Sequence, residues 1–156
     1  IADFIKDYPA LKLYIVGDGQ EKVNLAAQIK KLGLEHAVFL VGNVEREKMM
    51  QYLRAADIFL LNTGYEGFSH QIVEALSFGV PVLTTRVGGN SEIITSGKDG
   101  LLVEYNAKDE WRSALTKLLD DAELCNSLAA EGKKRAGDFT SDIMLERTAS
   151  VFHSMI

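Results

Sequence analysis

The stretch that decides the fold reads Asn62-Thr-Gly-Tyr-Glu-Gly-Phe-Ser-His-Gln-Ile-Val-Glu-Ala-Leu-Ser-Phe-Gly-Val-Pro81. Residues 57–61 lead into it as an apolar segment that predicts a buried strand, and a glycine-bearing loop follows. Ser69 marks the start of a helix, and Gly79 with Pro81 marks its end. A loop that enters a helix can hold an anion, because the first N–H groups of the helix have no intrahelical acceptor. The stretch therefore predicts a strand, a loop and a helix whose start suits an anionic ligand.

Short strands alternate with helices on both sides of this stretch. The strands are apolar nearly throughout, which is typical of a parallel sheet whose two faces are covered by helices. The fold class is therefore α/β, a doubly wound, Rossmann-like parallel sheet with a helical C-terminal tail. Ligands of such sheets bind at the carboxyl ends of the strands. Strands are predicted at 12–16, 38–41, 57–61, 80–85 and 101–103, and further helices at 1–8, 21–32, 45–54, 91–94, 108–119, 124–136 and 142–155.

The composition fits one ordinary globular domain. The chain has 156 residues, of which 47% are hydrophobic and 25% are charged. Its net charge of −5, without a cluster of Lys or Arg, argues against a nucleic-acid partner. No apolar run approaches the roughly 18 residues of a membrane span. The single Cys125 cannot form an internal disulfide, so we expect a buried or half-buried thiol in a reducing cytoplasm.

Gly17-Asp-Gly19 follows the first predicted strand and admits three interpretations. A dinucleotide fingerprint requires a further glycine at position 22, where the chain has Lys22. The other interpretations are a tight turn from strand to helix and a glycine pair that lets a ligand approach the backbone. The residues alone leave these open.

Glu66 and Glu74 frame the central stretch. On one continuous helix they would lie about 12 Å apart along the axis and roughly 80° apart around it, so they could hardly act on the same ligand. With Glu66 in the loop and Glu74 in the helix, they can converge on one ligand. Such a pair can serve as the acid and the nucleophile of a glycoside hydrolase, or can accept hydrogen bonds from sugar hydroxyls beside a phosphate. A solvated Glu66 and a structurally paired Glu74 are the remaining alternative.

Other polar and aromatic side chains are weaker candidates. His70 directly follows the loop, so a phosphate contact is weighed against an exposed position in the first turn. Arg86 follows the fourth strand, as a cation near the ligand or as a solvent-facing side chain. Trp111, Phe139 and Phe152 are interpreted as core or interdomain packing. No group of His, Cys and acidic residues has the spacing of a metal site.

A series of motifs resembles the large retaining glycosyltransferase family 4, which has the GT-B fold. The order and spacing match over most of the chain, and the resemblance is to the C-terminal, donor-binding domain alone. The motifs are Val16-Gly-Asp-Gly19, Val38-Phe-Leu-Val-Gly42, Glu66-Gly-Phe-Ser, Glu74-Ala-Leu, Gly79-Val-Pro-Val-Leu, Gly88-Gly89, Glu92-Ile-Ile and Gly100-Leu-Leu-Val.

The resemblance implies roles for the matching residues. Glu66, the first acid of the family's E-x7-E motif, would bind the donor sugar and stabilise the reacting ring, so it is the predicted catalytic residue. Glu74, the second acid, would bind the ribose hydroxyls. The other predicted donor-binding residues are Gly67, Phe68, Ser69, Ile72 and Val73 through their N–H groups, His70 beside the phosphate, Gly17 and Gly19 along the cleft, and Val44 at the nucleobase.

The resemblance also implies the activity. Residues 1–156 would be the donor-binding domain of a retaining glycosyltransferase, which moves a sugar from a nucleoside-diphosphate sugar to a glycan, lipid-linked or small-molecule acceptor. We expect neither a cofactor nor a metal, because a helix N-terminus can stabilise the diphosphate leaving group. The acceptor domain, the first strand and the family's basic residues for the diphosphate are expected upstream of residue 1. The fragment alone would bind the donor weakly and catalyse nothing.

The expected partners are the nucleoside-diphosphate sugar and the missing acceptor domain, with no nucleic acid. The expected location is the cytoplasm, with peripheral contact to the inner face of the membrane through the missing half. Two alternatives stay open: a GT-B relative with other chemistry, such as a sugar-nucleotide epimerase or a phosphorylase, and a non-catalytic GT-B binding module.

Overall fold

The computed structural model describes residues 1–154. The chain divides into two compact units, one formed by Ile1–Gln51 and the other beginning at Tyr52. The predicted parallel α/β fold is confirmed, with the strands in two parallel ladders. In chain order the elements are β1 (Leu13–Val16), α1 (Lys22–Lys31), β2 (Val38–Gly42), α2 (Arg46–Ala55), β3 (Phe59–Leu61), α3 (His70–Ser77), β4 (Val82–Thr85), α4 (Asn90–Ile93), β5 (Leu101–Val103), α5 (Lys108–Asp120), α6 (Ala122–Ala136), a 3₁₀ helix (Gly137–Phe139) and α7 (Ser141–Ser154).

The first unit is built on the parallel pair β1 and β2. Tyr14 and Phe39 are neighbours in this register and stack with ring centroids 5.0 Å apart. Helix α1 follows β1, but none of its side chains is buried, and Val23 is 78% exposed although its helical spacing predicts an inward position. Helix α1 therefore buries little apolar surface against the pair, although both strands are apolar.

The helix predicted over residues 1–8 is wrong. These residues form successive turns, in which Ile1 O accepts bonds from the N–H groups of both Phe4 and Ile5. Pro9 disfavours helical backbone at the residue before it, so the turns do not extend into a regular helix. Phe4 is nevertheless buried and contributes to the core of the first unit.

The second unit is built on the parallel ladder β3-β4-β5. The central strand β4 is buried along its whole length, and Leu83 is paired with Leu60 on one side and with Leu101 on the other. A strand with neighbours on both edges and helices on its faces has no exposed side, which explains its unbroken apolar and threonine sequence. The carboxyl ends of these strands carry the loops described below.

Helix α3 packs its apolar face into the second unit. Ile72, Ala75 and Leu76 are fully buried, and Gly132 of α6 gives Leu76 the room it needs. A Cβ at Gly132 would lie 2.7 Å from the Leu76 Cδ2 atom, so any other residue would require the Leu76 side chain to shift. The start of α3, which carries the candidate site, is thus supported by the packing of its first and second turns.

The helical tail begins as predicted and differs in detail. Asp121 ends α5 and caps α6, so α6 starts at Ala122, two residues before the predicted start at Leu124. Phe152 on α7 is 64% exposed, so it is not a core residue of this chain. Residue 155, where the last helix was predicted to end, lies outside the described residues.

Candidate functional site

The start of α3 has the donor groups that the sequence predicts. Ser69 precedes the helix with extended backbone and is buried to 99%, yet its side chain makes no capping hydrogen bond. Its Oγ lies 3.4 Å from the Gln71 side-chain oxygen instead. The first N–H groups of α3 therefore keep their capacity to bind an external acceptor. Ile72 is fully buried, so it can reach a ligand only through its backbone. The predicted Val73 N–H already donates to the Ser69 carbonyl at 3.4 Å, so it is less available to a ligand than the N–H groups before it.

The loop before α3 rests directly on a glycine pair that follows β4. The N–H group of Gly89 donates to the Glu66 carbonyl at 3.1 Å. A Cβ at Gly88 would lie 1.9 Å from the Glu66 carbonyl oxygen, and one at Gly89 would lie 2.0 Å from that of Gly67. Gly88 also has a left-handed φ of 46°. In the sequence this pair is only one of the motifs of the family resemblance, whereas in the structure it sets the position of the loop.

A buried polar network joins the ends of β3 and β4 beneath this loop. The Thr84 and Thr85 hydroxyls donate to the carbonyls of Leu61 and Thr63 at 2.9 and 2.7 Å. The amide nitrogen of Asn90 in turn donates to the Thr84 hydroxyl and the Thr85 carbonyl, each at 3.1 Å. The Asn90 side-chain oxygen is buried without a partner among the described residues. Because these bonds are buried, they hold the beginning of the loop firmly against its strand neighbours.

The same loop is also tied to the end of β5. The Asn62 side chain donates to the Asn106 side chain at 2.7 Å and accepts from the Asn106 N–H at 3.2 Å. Asn106 has a left-handed φ of 55°, which asparagine tolerates better than most residues. Tyr105 lies against Gly64, where a Cβ would come within 3.0 Å of its ring. Tyr65 next to it is 86% exposed.

The Arg86 side chain binds β5 and the residue that follows this strand. Its guanidinium donates to the Leu102 carbonyl at 3.2 Å and lies 3.4 Å from the Glu104 carboxylate. The sequence left open a cation near the ligand or a solvent-facing side chain. In the structure the side chain is exposed, but it is paired with neighbours at the strand end. Its charge is therefore already balanced locally.

An aromatic cluster flanks the loop on the side of the helical tail. Phe68 contacts His70 edge-on, with ring centroids 5.5 Å apart, and contacts Phe139 in a similar way at 5.6 Å. Arg135 lies over the Phe139 ring at 4.8 Å. Phe139 was interpreted as core or interdomain packing, and its contact with a predicted site residue was missed. Its position in the chain, 71 residues from Phe68, gives no sequence signal for this contact.

The two predicted carboxylates have the local settings that the sequence indicates. Glu66 lies in the loop and Glu74 lies in α3, and both are half-buried. The hydrolase alternative and the hydroxyl-binding alternative both need the two carboxylates to converge on one ligand. That convergence stays a prediction.

Three predicted site residues belong to the first unit. The N–H of Gly17, a residue with a left-handed φ of 120°, donates to the Gly42 carbonyl at 2.8 Å. The Gly19 N–H donates to the Asp18 carboxylate at 2.8 Å. These bonds favour the tight-turn interpretation of the glycine pair and do not exclude a nearby ligand. Val44 is half-buried between β2 and α2.

Lys22, which replaces the third glycine of a dinucleotide fingerprint, has a defined position at this turn. Its ammonium group lies 2.5 Å from the Asp18 carboxylate. The bond from Lys22 and the bond from the Gly19 N–H lower the pKa of Asp18 below its ordinary value. A cavity of about 250 Å³ opens beside these residues, between α1 and the strands β1 and β2.

The thiol of Cys125 is half-buried and donates to the Leu118 carbonyl at 2.9 Å, as expected for a small packing residue. Burial raises its pKa, and the carboxylates of Asp121 and Asp57 add to this. Among residues 1–154, no group of three or more His, Cys, Asp or Glu side chains is placed to hold a metal ion. In the same range no helix is both long enough and apolar enough to cross a bilayer.

Comparison with known proteins gives the family. The sequence profile described as glycosyl transferases group 1 matches residues 1–135. The chain belongs to this family. Among its curated relatives, an exopolysaccharide phosphotransferase from Streptomyces coelicolor is 30% identical over 156 residues. The match covers 99% of this chain and 16% of that protein. The chain spans between 16% and 40% of the length of the curated relatives it matches.

Two solved structures agree with this membership. The Anabaena protein HepE, in complex with UDP, is 25% identical with a TM-score of 0.82, covering 95% of this chain and 42% of HepE. The C-terminal domain of the glycosyl transferase group 1 protein LpcC from Francisella tularensis is 25% identical with a TM-score of 0.79, covering 87% of this chain and 73% of that domain. The GT-B half that the sequence resembles is therefore confirmed at the level of fold and family.

Proposed function

We propose that this chain binds the nucleoside-diphosphate sugar of a retaining glycosyltransferase. The observation that carries the proposal is the start of α3, where N–H groups without a capping side chain follow a loop held by Gly88 and Gly89. The UDP bound to HepE and the match to an isolated C-terminal domain of a family member support a donor-binding role.

The diphosphate would lie at the start of α3. The net charge of the chain is −5, so the overall field does not attract an anion and the attraction has to be local. A preorganised helix terminus supplies such attraction without reorganising when the nucleoside diphosphate leaves with its negative charge. On this ground we propose a transfer that needs no metal ion.

Glu66 and Glu74 would bind hydroxyl groups on either side of the diphosphate. A carboxylate accepts strong hydrogen bonds from hydroxyls, but it repels phosphate at close range. Glu66 in the loop is proposed to bind the donor sugar and to stabilise the positive charge that develops on its ring. Glu74, one turn into α3, is proposed to bind the ribose. His70 is exposed at the first position of α3, where it can contact the phosphate.

The acceptor is a further proposal. The chain spans 42% of HepE and at most 40% of the curated relatives cited above, so recognition of a glycan, a lipid-linked sugar or a small molecule is proposed to involve other parts of the protein. The roles that the resemblance implies for Gly17, Gly19 and Val44 stay predictions. So do the cytoplasmic location and a peripheral membrane contact.

The proposal is tested by titrating the chain with UDP-, GDP- and ADP-glucose in ligand-observed NMR. Glu74→Ala should weaken binding of the nucleotide itself about tenfold or more, because each lost hydrogen bond to a charged group is worth about 1.5–3 kcal/mol. Glu66→Ala should leave binding of the free nucleoside diphosphate unchanged and should reduce the advantage of the nucleotide sugar over it.

Glu131→Ala is the matched control, since it removes a carboxylate of the same unit that is paired with Lys134 on α6. It should bind like the unmodified chain. Failure of every nucleotide sugar to bind would contradict the proposal and would favour a non-catalytic module. Equal losses for nucleotide and nucleotide sugar in both Glu66→Ala and Glu74→Ala would contradict the separate roles.

A further inference from the structure

We propose that Arg135 and Phe139 are positioning residues for the donor: they fix the Phe68 side chain and thereby the loop that enters α3. This inference rests on the proposed function, because it assigns a role in the same site. Phe139 lies beyond residues 1–135, the range over which the family profile matches. The contact between Phe139 and Phe68 joins the helical tail to the loop.

The anchor is the Arg135 guanidinium, which binds the end of α4. Its Nε donates to the Ile93 carbonyl at 3.0 Å, and its Nη2 donates to the Glu92 carbonyl at 2.6 Å. Its Nη1 donates to the Asp138 carboxylate at 2.8 Å. Carbonyls at the end of a helix lack intrahelical donors, so a cation is well suited to them. Bonds from all three nitrogens of a planar group fix its orientation.

The fixed guanidinium holds the first aromatic ring. It lies 4.8 Å from the centroid of Phe139, which is the geometry of a cation–π contact. Phe139 then meets Phe68 edge-on at 5.6 Å and an interplanar angle of 62°. Edge-to-face pairs of this kind are preferred over direct face-to-face stacking, so the contact favours one orientation of the Phe68 ring.

The second ring belongs to the loop itself. Phe68 continues to His70, with centroids 5.5 Å apart and planes at 70°. Phe68 is still 39% exposed, so part of its surface is left for a ligand. It stands directly before Ser69, at the point where the chain turns into α3. A displacement of the Phe68 ring would therefore move the backbone N–H groups next to it.

The loop is in effect held at two neighbouring residues by the two ends of α4. Gly89, just before α4, contacts the backbone of Gly67. The carbonyls at the other end of α4 bind Arg135, whose partner Phe139 contacts the side chain of Phe68. The loop backbone and the Phe68 side chain are thus both held by contacts that lead to α4. A preorganised binding loop requires supporting contacts of this kind.

The test uses Phe139→Leu, with Phe139→Tyr as the conservative rescue. The first readout is the chemical shift of the His70 ring protons without ligand, since these protons sense the ring current of Phe68. The second is the affinity for UDP-glucose, and the third is the melting temperature. We expect Phe139→Leu to shift the His70 resonances and to weaken UDP-glucose binding about tenfold. Phe139→Tyr should restore both.

Phe78→Leu is the matched control. Phe78 is half-buried in the same unit and carries Arg54 over its ring at 4.7 Å, nearly the geometry of Arg135 over Phe139. It should lower the melting temperature without changing the His70 resonances or the affinity. If Phe139→Leu does not fold, Arg135→Lys replaces it, because lysine keeps the charge but loses the planar set of three bonds.

Unchanged His70 resonances together with an unchanged affinity in a folded Phe139→Leu or Arg135→Lys variant would overturn the inference. Equal effects of Phe78→Leu and Phe139→Leu on affinity would also overturn it, since only general stability would then be at work. If the unmodified chain binds no UDP-glucose or related nucleotide sugar, the proposed function fails. The His70 resonances would still decide whether Phe139 positions Phe68.

Discussion

Gly88 and Gly89 are the residues on which the loop before α3 most directly depends. Each occupies a position where a Cβ would overlap a carbonyl oxygen of the loop, at 1.9 Å from Glu66 O and 2.0 Å from Gly67 O. Contacts this short do not occur between real atoms, so a side chain would force the backbones apart. The requirement is for space at both glycines and, at Gly88, also for its left-handed φ of 46°.

At this scale we predict that Gly89→Ala destabilises the chain by about 3 kcal/mol, because overpacking against a backbone cannot be relieved by a rotamer change. Urea unfolding measures the effect. Gly67→Ala is the control from the opposite side of the contact, since a Cβ there meets nothing within 4 Å. It should change stability by less than about 1 kcal/mol. Similar losses in both variants would show that the loop, and not the contact, is sensitive.

Helix α6 is the element that supports α3 from behind. Gly132 admits the Leu76 side chain of α3, and Arg135 on the same helix binds the end of α4. The start of α6 is fixed by Asp121, whose carboxylate accepts from the Leu124 N–H at 2.8 Å. Loss of this cap would affect the candidate site only indirectly, by destabilising α6. The stability of the helix can therefore be tested without changing a residue of the site.

We predict that Asp121→Ala costs about 1 kcal/mol of unfolding free energy, the usual value of a helix N-cap. Asp121→Asn should keep most of this stability, because asparagine caps as well as aspartate. Both changes remove a charge that raises the pKa of the Cys125 thiol, so the thiol should react faster with iodoacetamide near pH 8 in either variant. Equal stability of the two variants would contradict the cap, and unchanged thiol reactivity would contradict the electrostatic effect.

At the scale of the whole molecule, the two units differ in their cores. In the first unit the buried apolar residues are Phe4, Leu34, Ala37 and Val38, whereas all other buried apolar residues of the described chain lie in the second. Strand β1 has one exposed and three half-buried residues, whereas β4 is buried throughout. Since apolar burial is the main stabilising contribution to folding, we expect the first unit to have the smaller free energy of local unfolding.

We therefore predict that the amides of β1 and β2 exchange with deuterium before those of β4. Native-state exchange followed by NMR or mass spectrometry measures this. The comparison uses only amides in parallel ladders, so differences in hydrogen-bond type are small. Equal protection of β1 and β4 would mean that both open only in global unfolding, which would contradict a weaker first unit.

The sequence determined the architecture because periodicity and chain breaks are local properties. Apolar segments and the glycines and prolines between them predicted every strand, and Ser69 and Gly79 correctly bracketed α3. Local pattern also misled where burial was decided by partners: residues 1–8 form turns, and Val23 faces solvent. The Glu66-Gly-Phe-Ser motif gave the likeness to the family, but it did not say what holds that loop in place.

Only the tertiary structure decided that support. Gly88 and Gly89 meet the loop from more than twenty residues away, and Phe139 meets Phe68 from 71 residues away. Such contacts depend on how β4, α4 and the helical tail lie in space, which neither hydrophobic periodicity nor turn chemistry encodes. A glycine pair after a strand signals a close approach, but only the fold names its partner. The anion-binding capacity of α3 could be predicted from its own residues, whereas the rigidity of its entrance comes from residues distant in the chain.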